Sequence, residues 1–375
     1  MAKGKFLKKK KLTAGKVIGR VVLVILLVLL LLIGAVFAFV WSKLNLITYD
    51  PGSSYETIAD TQPTDQTDAS EPLPSETIED PTETIPEETF DTTGLAMAEA
   101  PSYSEGELFK DKDVMNILLV GTDEFSGGFS KASRGDVNIL VSINKAEKTV
   151  KLVSFSRGIA IKMLDGPYKG QYEWLTNAHR WAGHAAVLEA LSDAFKIEIN
   201  RYVRVNFNSV TKIVDAIGGI EMELTAKEAN FINKQHVAST PTQKKLVEGW
   251  NHLDGGTATY YARLRGIDDD WYRVVRQRKA ILAVVDKLKG SSFSTLNDLC
   301  DMALSLVQTN LTRPEIAELI LYSPTFLESE FDQMTIPIAN SYGGMTVMSG
   351  AAGWALDYDK NNAALHEFLF GVDAE

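Results

Sequence analysis

The sequence contains few of the residues and motifs that mark several common kinds of site. Its one cysteine, Cys300, excludes an intramolecular disulfide framework and any CxxC zinc or redox site. The motifs GxxxxGK[ST], GxSxG and HExxH are absent, which argues against a nucleotide P-loop, a GxSxG-type serine hydrolase and an HExxH zinc site. The five histidines have no metal-ligand spacing, and the net charge of −11 argues against a general nucleic-acid binder.

The charge is distributed very unevenly along the 375 residues. Residues 1–49 carry nine basic residues and no acidic one, whereas residues 50–112 carry 17 acidic residues and two lysines. Residues 113–375 are closer to balance, with 27 basic and 32 acidic residues. The chain is long enough to bury one large core or two, and its three parts require separate interpretations.

The uncharged run Val21–Trp41 predicts a transmembrane helix. As a helix its 21 residues reach across the roughly 30 Å hydrocarbon core of a bilayer. A cleaved signal peptide is disfavoured because the run is longer than a typical signal core and no A-x-A site follows it. Basic residues crowd the preceding tail, so the positive-inside rule places residues 1–20 in the cytoplasm and the chain after Trp41 outside. We therefore expect a single-pass membrane protein with an extracytoplasmic functional domain.

Residues 42–112 predict a disordered acidic stalk. The segment is rich in Thr, Pro, Asp, Glu and Ser and has few large apolar residues to offset the entropy of folding. Its negative charges repel one another, which favours an extended spacer that holds the domain away from the membrane.

Residues 113–290 have the patterns of a folded α/β domain. Met115–Val120 reads as a buried strand, and Val137–Asn144 with Thr149–Ser156 reads as a hairpin. The further elements of this region are a helix at Ala185–Phe195, a strand at Tyr202–Asn206, a helix at Ser209–Ile217 and a helix at Asp270–Leu288. Beyond residue 290 the sequence predicts a helix opened by the Thr312/Glu315 capping box, and a strand and terminal helix within Gly353–Gly371. Interleaved strands and helices predict an α/β fold, with α-β-α layers around a central mixed β-sheet. Residues 291–375 are expected to pack on the same domain; an independent binding module is the alternative.

The hairpin places an acid beside a base at one edge of the sheet. If Asn144 faces Thr149, the antiparallel register pairs Asp136 with Arg157. Asp123 follows the first strand and reaches the same edge if that strand runs parallel to the Thr149 strand. Two neighbouring carboxylates repel unless they share a hard cation, and oxygen-only ligation suits Mg²⁺. An Asp–Arg surface pair is the alternative.

The densest charged cluster is the stretch YARLRGIDDDWYRVVRQR at 261–278. In an extended segment Arg263 and Arg265 point to the same side, and on the following helix Arg273, Arg276 and Gln277 share one face. Arginines in the first turns of a helix oppose its dipole, an arrangement that favours a bound anion. Guanidinium groups match phosphate oxygens bidentately, so this cluster predicts a phosphate site, with a solvated helix face as the alternative.

These segments together resemble the LytR–CpsA–Psr family of bacterial cell-envelope phosphotransferases. The resemblance runs in order from about Val114 to Lys289. It is carried by NILLVGTD, the RGD at 134–136, SFSRG at 154–158, TNAH at 176–179, VDAIGGIEMEL at 214–224, LVEGWNHLDGGTATYYARLR ending at 265 and DWYRVVRQR at 270–278. Each segment is weak alone, but seven in order with compatible spacing are highly specific.

The resemblance implies transfer of a glycan phosphate, such as teichoic acid or capsular polysaccharide, from a polyprenyl-pyrophosphate carrier to peptidoglycan. It implies a bound Mg²⁺, with Mn²⁺ as a substitute, and hydrolysis of the pyrophosphate as a side activity. By matching, the metal ligands are Asp123 and Asp136, the catalytic residues are Arg157, Arg265 and Asp270, and the substrate-binding residues are Arg134, Arg157, Arg263, Arg265, Arg273, Arg276 and Gln277. The polyprenyl tail is expected in an apolar tunnel between the sheet and flanking helices.

Two positions depart from the family pattern. Gly135 stands where the family commonly has Ser between Arg134 and Asp136, and Gly158 stands where an acid commonly follows the arginine. The missing acid at Gly158 leaves open a catalytically weak lipid-pyrophosphate binder or envelope regulator. A DNA-binding attenuator is disfavoured by the predicted extracytoplasmic location.

Overall fold

The structure is a computed structural model that describes residues 48–50, 100, 101, 103–124, 128–130, 133–166, 168–237, 243–268, 270–289, 291, 299 and 301–371. All of them lie within the compact unit 47–375. Among these residues no helix is long and apolar enough to cross a membrane, and the predicted helix Val21–Trp41 lies outside them.

Continuous apolar runs form the centre of the main sheet. They are β2 (Val114–Thr122), β3 (Gly135–Asn144) and β4 (Thr149–Phe155), each antiparallel to the next. Asn144 faces Thr149, which confirms the predicted hairpin register. Both faces of these strands are covered, as their largely buried side chains show.

Four strands distant in sequence complete the sheet. They are β1 (Thr48–Tyr49), β7 (Arg201–Asn206), β10 (Gln308–Thr309) and β11 (Phe331–Ile336). The order is β1-β10-β7-β2-β3-β4-β11, with β7 parallel to β2 and β11 parallel to β4. Parallel and antiparallel pairs occur together, so the predicted mixed central sheet is confirmed.

Helices cover both faces of the sheet. One face packs on α1 (Leu175–Phe195) and α7 (Tyr358–Phe370), which share a core with Leu118 and Phe155. The other helices are α2 (Phe207–Ala216), α3 (Ala226–Gln235), α4 (Gly255–Ala262), α5 (Asp270–Leu288) and α6 (Arg313–Leu327). The short strand pairs are β5 (Ala160–Lys162) with β6 (Tyr172–Trp174), β8 (Ile220–Leu224) with β9 (Gly249–Leu253), and β12 (Tyr342–Thr346) with β13 (Ala352–Leu356).

Helix α1 begins ten residues before the predicted start at Ala185. Gly183 interrupts it with φ 81° and ψ 167°, a conformation that favours glycine. The apolar face used for the prediction belongs to the part after this break. The part before it, starting at Leu175, carries the side chains that approach the site described below.

The packed domain also begins before the predicted boundary at residue 113. The Tyr103 hydroxyl accepts a 2.6 Å hydrogen bond from the Lys162 amide, and its ring lies 4.6 Å from that of Tyr358. The Phe109 amide bonds the Lys196 carbonyl at 2.8 Å. A disordered stalk extending to residue 112 is therefore too long at its C-terminal end, because these aromatic residues find partners far along the chain.

Candidate functional site

A cavity of about 1180 Å³ lies between the central sheet and helices α2, α4 and α5. Its interior is apolar, and its lining there includes Leu119, Val205, Phe207, Val210, Ile213, Val214, Ala258, Ala262, Ala280, Ile281, Val284 and Val285. Its charged part is lined by Asp123, Asp136, Arg134, Arg157, Arg180, Arg263, Arg265, Arg273 and Gln277. One continuous space therefore joins a charged region to a long apolar one.

The ends of three adjacent strands bring the first charged residues together. Asp123 follows β2, Asp136 is the second residue of β3, and Arg157 follows β4. The Arg157 Nη1 lies 3.5 Å from the Asp136 Oδ1, as the hairpin register predicts. Asp123 Oδ1 accepts a 3.1 Å hydrogen bond from the Arg134 amide. The predicted meeting of both carboxylates at one sheet edge agrees with this geometry.

The surroundings of the two carboxylates shift their pKa values in opposite directions. Burial raises the pKa of Asp123; the Arg134 amide opposes this shift and the nearby Asp136 carboxylate adds to it. Burial would also raise the pKa of Asp136, but Arg157, Arg273 and Arg265 together hold it below its ordinary value. Thr176 at the start of α1 supports Asp136 with a 3.1 Å hydrogen bond to Oδ1. Asp136 is thus kept ionised in a cationic environment.

The segment between α4 and α5 supplies the opposite charged wall. Arg265 Nη2 lies 3.9 Å from Asp136 Oδ2. The Arg263 guanidinium lies 4.0 Å from the ring centroid of Phe207, and burial lowers its pKa. Arg273 and Gln277, one helical turn apart on α5, complete this wall.

Arg276 does not belong to the cavity, so its predicted role in substrate binding is wrong. Its guanidinium is buried against Asp268, with hydrogen bonds of 2.6 and 2.5 Å, and lies 3.5 Å from Glu228. Its position on α5 is rotated by about 60° from Arg273, which is enough to direct it to the α3 side. Asp270 begins α5, but its side chain lies outside the described part of the structure, and its proposed role stays a prediction.

Sequence reasoning missed a buried ion pair next to Asp123, formed by Arg204 and Glu124. Arg204 Nη2 contacts Glu124 Oε1 at 2.5 Å and the Ser130 carbonyl at 2.6 Å. The side chains of Arg204 and Glu124 are 3% and 8% exposed. The available signal was the alternation in β7, which puts Arg204 on the same buried side as Tyr202 and Asn206.

The glycine between Arg134 and Asp136 fits closely against a buried histidine. His179 Nε2 lies 2.6 Å from Asn138 Oδ1, and Asn138 donates a 2.8 Å hydrogen bond to the Gly135 carbonyl. A Cβ on Gly135 would lie 2.8 Å from His179 Nε2. The other departure, Gly158, is not crowded, because a Cβ there would meet Trp354 at 3.8 Å. Close packing against His179 therefore explains a glycine at position 135, whereas no such crowding is present at position 158.

The donor chemistry of Asp123 and Asp136 fits a hydrated Mg²⁺ ion. Both are oxygen donors, and the Asp136 charge contributes to the raised pKa of Asp123, a repulsion that a shared cation would relieve. In the described residues no group of three or more His, Cys, Asp or Glu side chains could hold a metal. A two-carboxylate site is one in which Mg²⁺ keeps several waters.

The fold and the cavity define an α/β protein suited to an amphiphilic anion, whose charged head meets arginines and whose chain enters the apolar interior. The profile of the LytR_cpsA_psr family matches residues 76–365, and the chain belongs to this family.

Curated relatives carry the name polyisoprenyl-teichoic acid–peptidoglycan teichoic acid transferase. TagT of Bacillus subtilis (strain 168) is 29% identical over 244 residues, which cover 64% of this chain and 74% of the relative. TagU of Enterococcus faecalis (strain ATCC 700802 / V583) is 27% identical over 230 residues, covering 60% of this chain and 71% of the relative.

Solved structures share the fold. Protein gbs0355 of Streptococcus agalactiae superposes with a TM-score of 0.57 at 23% identity, covering 70% of this chain and 90% of that one. A structure described as the LytR-CPS2A-psr family protein YwtF (TagT) with bound octaprenyl pyrophosphate lipid superposes with a TM-score of 0.51 at 22% identity, covering 74% and 99%.

Proposed function

We propose that this protein transfers a glycan phosphate from a polyprenyl-pyrophosphate carrier to peptidoglycan at the outer side of a bacterial membrane. The observation that carries the proposal is one continuous cavity that joins six arginines and two carboxylates to an apolar interior. The names of the relatives and the bound lipid named for one similar structure support the same substrate class. The predicted anchor Val21–Trp41 would keep the cavity near the membrane that holds the carrier.

The proposed reaction forms one P–O bond and breaks another. A sugar hydroxyl of peptidoglycan attacks the phosphorus that bears the glycan, its proton passes to a base, and polyprenyl phosphate leaves with the electron pair of the broken bond. With water in place of the sugar hydroxyl, the same site would hydrolyse the pyrophosphate. Asp270 is the candidate base.

Charge stabilisation is the main contribution that these residues can make to such a step. Negative charge grows on the phosphoryl and leaving oxygens, and guanidinium groups fixed before the reaction stabilise it without reorganisation. Arg157 and Arg265 flank Asp136 and are the candidates for this role. Arg134, Arg263, Arg273 and Gln277 would hold the remaining oxygens of the head group.

A divalent cation would be held by Asp123 and Asp136. Mg²⁺, or Mn²⁺ in its place, would supply charge neutralisation at the pyrophosphate when bound. Asp136 is ready for this role because its arginine neighbours keep it ionised. The Arg134 amide orients Asp123 through Oδ1.

The test compares single alanine variants of Asp136, Arg157 and Arg265 in a transfer assay with a lipid-linked glycan and peptidoglycan, with and without Mg²⁺. Each variant is expected to lose transfer while the protein stays folded; the melting temperature should stay near that of the wild type for the two arginine variants and be lower for Asp136→Ala, because that carboxylate offsets the charge of its arginine neighbours. The matched control is Lys279→Ala, an exposed cation on α5 outside the cavity lining. Turnover near the wild-type rate in all three variants would refute the proposal.

The same assay separates transfer from a second candidate function. Gly158 leaves Arg157 without the neighbouring acid that the family pattern commonly provides, and this favours a polyprenyl-pyrophosphate binder or envelope regulator as the alternative. Tight binding of octaprenyl pyrophosphate by the wild type, together with no metal-dependent turnover, would support the alternative.

A further inference from the structure

The charged part of the cavity has a second polar wall, besides the one that α5 contributes to. It is lined by Trp174, Asn177, Arg180, Trp181 and Ser349. Four of these residues come from the end of β6 and the start of α1, and Ser349 comes from the turn between β12 and β13. The C-terminal extension of the chain therefore builds part of the substrate cavity.

A buried carboxylate fixes this wall. Glu173 is fully buried, and its carboxylate accepts hydrogen bonds from the Ser349 amide at 3.0 Å and the Ser349 hydroxyl at 2.9 Å. The same carboxylate accepts from the Trp174 amide at 2.8 Å and from Asn177 Nδ2 at 3.2 Å. The turn and the start of α1 are thus tied to one group, so the wall is formed before any ligand arrives.

Arg180 is the cationic group of this wall. Its guanidinium lies over the Trp181 ring, 5.0 Å from the ring centroid, a cation–π contact that helps to position it. In the described part of the chain its buried Nε has no hydrogen-bond partner, although a buried N–H without a partner is costly. Arg180 lines the cavity, so a ligand oxygen there can accept a hydrogen bond from its guanidinium. The adjacent indole rings offer flat apolar surfaces, and the neighbouring amide and hydroxyl offer polar contacts.

We propose that this wall binds an anionic saccharide, meaning a sugar that carries a phosphate or carboxylate beyond the phosphorus that is transferred. Aromatic faces suit the apolar faces of sugar rings, and the Arg180 fork suits a phosphate or carboxylate group. The inference rests on the proposed function, because that function puts a glycan next to the pyrophosphate. The anionic group has two possible sources, namely the next phosphate of the donor glycan or a carboxylate of the acceptor strand.

The donor arm of the test measures a ratio of affinities. Two lipid pyrophosphates are compared, one with a neutral disaccharide and one with the same disaccharide carrying a further phosphate. The wild type is expected to bind the anionic lipid about tenfold more tightly, the size of one charge-assisted hydrogen bond. Arg180→Gln keeps a long polar side chain and should bring the ratio close to one, whereas Lys279→Ala should leave the ratio unchanged. Arg180→Lys should give an intermediate ratio.

The acceptor arm assigns the source of the anion. Transfer is measured with peptidoglycan fragments whose carboxylates are free or amidated. If the acceptor supplies the anion, amidation raises the acceptor KM about tenfold for the wild type and leaves it unchanged for Arg180→Gln. If the wild type shows no preference in either arm, or if Arg180→Gln keeps the wild-type preference, the inference is overturned. Failure of the wild type to bind octaprenyl pyrophosphate would instead overturn the proposed function, and the inference with it.

Discussion

Gly135→Ala is the smallest change that should disable the site, and its cost follows from one contact. The added methyl would sit 2.8 Å from Nε2 and 2.9 Å from Cγ of His179, and closer still to Cδ2. The imidazole has little room to retreat, because His179 is 1% exposed and is held by Asn138 at 2.6 Å. Either the ring or the strand must therefore move.

Overpacking of this kind typically costs about 1–3 kcal/mol of folding stability. Loss of the His179–Asn138 hydrogen bond would add about 1 kcal/mol, since both groups are buried. The strand carries Arg134 and Asp136 on either side of the glycine, so a shift of the strand displaces both. We expect Gly135→Ala to lower the free energy of unfolding by roughly 2–4 kcal/mol, as the sum of these two effects. We also expect the transfer rate of the variant to fall by more than the loss of folded protein accounts for, because Arg134 and Asp136 are displaced.

Urea unfolding and the transfer assay, carried out on the same preparations, measure the two effects. Gly158→Ala is the matched control, because its methyl would meet Trp354 only at 3.8 Å. It should change the unfolding free energy by less than about 0.5 kcal/mol, as substitutions without a new clash or cavity usually do.

A double variant tests the cause directly. Gly135→Ala combined with His179→Ala removes the clash, so the two changes together should cost less than the sum of their separate costs. Strict additivity, or a stability of Gly135→Ala equal to that of Gly158→Ala, would refute the reasoning.

Two other predictions concern stability. Burial, and next the charge of Arg204, lower the pKa of His179 from 6.5 to about 3, and burial also lowers the pKa of His184. Below pH 6.5 the two histidines therefore bind protons more readily in the unfolded chain than in the folded state. Stability should be fully present above pH 6.5 and fall as the pH drops from 6.5 towards 3, by up to about 1.4 kcal/mol per pH unit for each histidine. Urea unfolding at pH 7, 6 and 5 measures the slope, which His179→Gln should reduce; an unchanged slope would contradict this assignment. Glu124→Gln leaves Arg204 buried without its counter-ion and should cost about 3–5 kcal/mol, whereas Lys289→Ala, in an exposed pair, should cost less than about 1 kcal/mol. Equal melting temperatures of the two variants would show that the Arg204 pair is not stabilising.

The parts of the site that sequence analysis predicted are those linked by short stretches of chain. A four-residue loop sets the register of β3 and β4, so the approach of Asp136 to Arg157 follows from counting residues. The apolar stripe of α5 sets its length, and the structure begins and ends the helix at the predicted residues Asp270 and Leu288. In both cases the information is local.

The parts that were missed depend on partners far along the chain. Arg276 shares a helical face with Arg273 in projection, but only the positions of Asp268 and Glu228 show that it faces the other way. Likewise, no pattern in the sequence identifies β11 as the neighbour of β4, more than 170 residues earlier. Period-2 patterning fits any strand partner, so long-range pairing is outside what the sequence alone reveals.

Two groups of arginines in the domain have different physical consequences. Arg204 and Arg276 have buried carboxylate partners, and Arg278 donates to the Ser154 and Thr335 hydroxyls at 2.7 Å each. These three stabilise the framework. The cavity group, Arg134, Arg157, Arg180, Arg263, Arg265 and Arg273, brings like charges together, which destabilises the folded state in the absence of an anion.

Asp136 offsets part of that repulsion, since Arg157, Arg273 and Arg265 together lower its pKa. The carboxylate is therefore structural as well as a proposed metal ligand. Its charge offsets that of the surrounding arginines while no anion is bound. The fold supplies the stability for this arrangement elsewhere, through the buried pairs of Arg204 and Arg276, and in this way it keeps a preformed cationic site next to an apolar cavity.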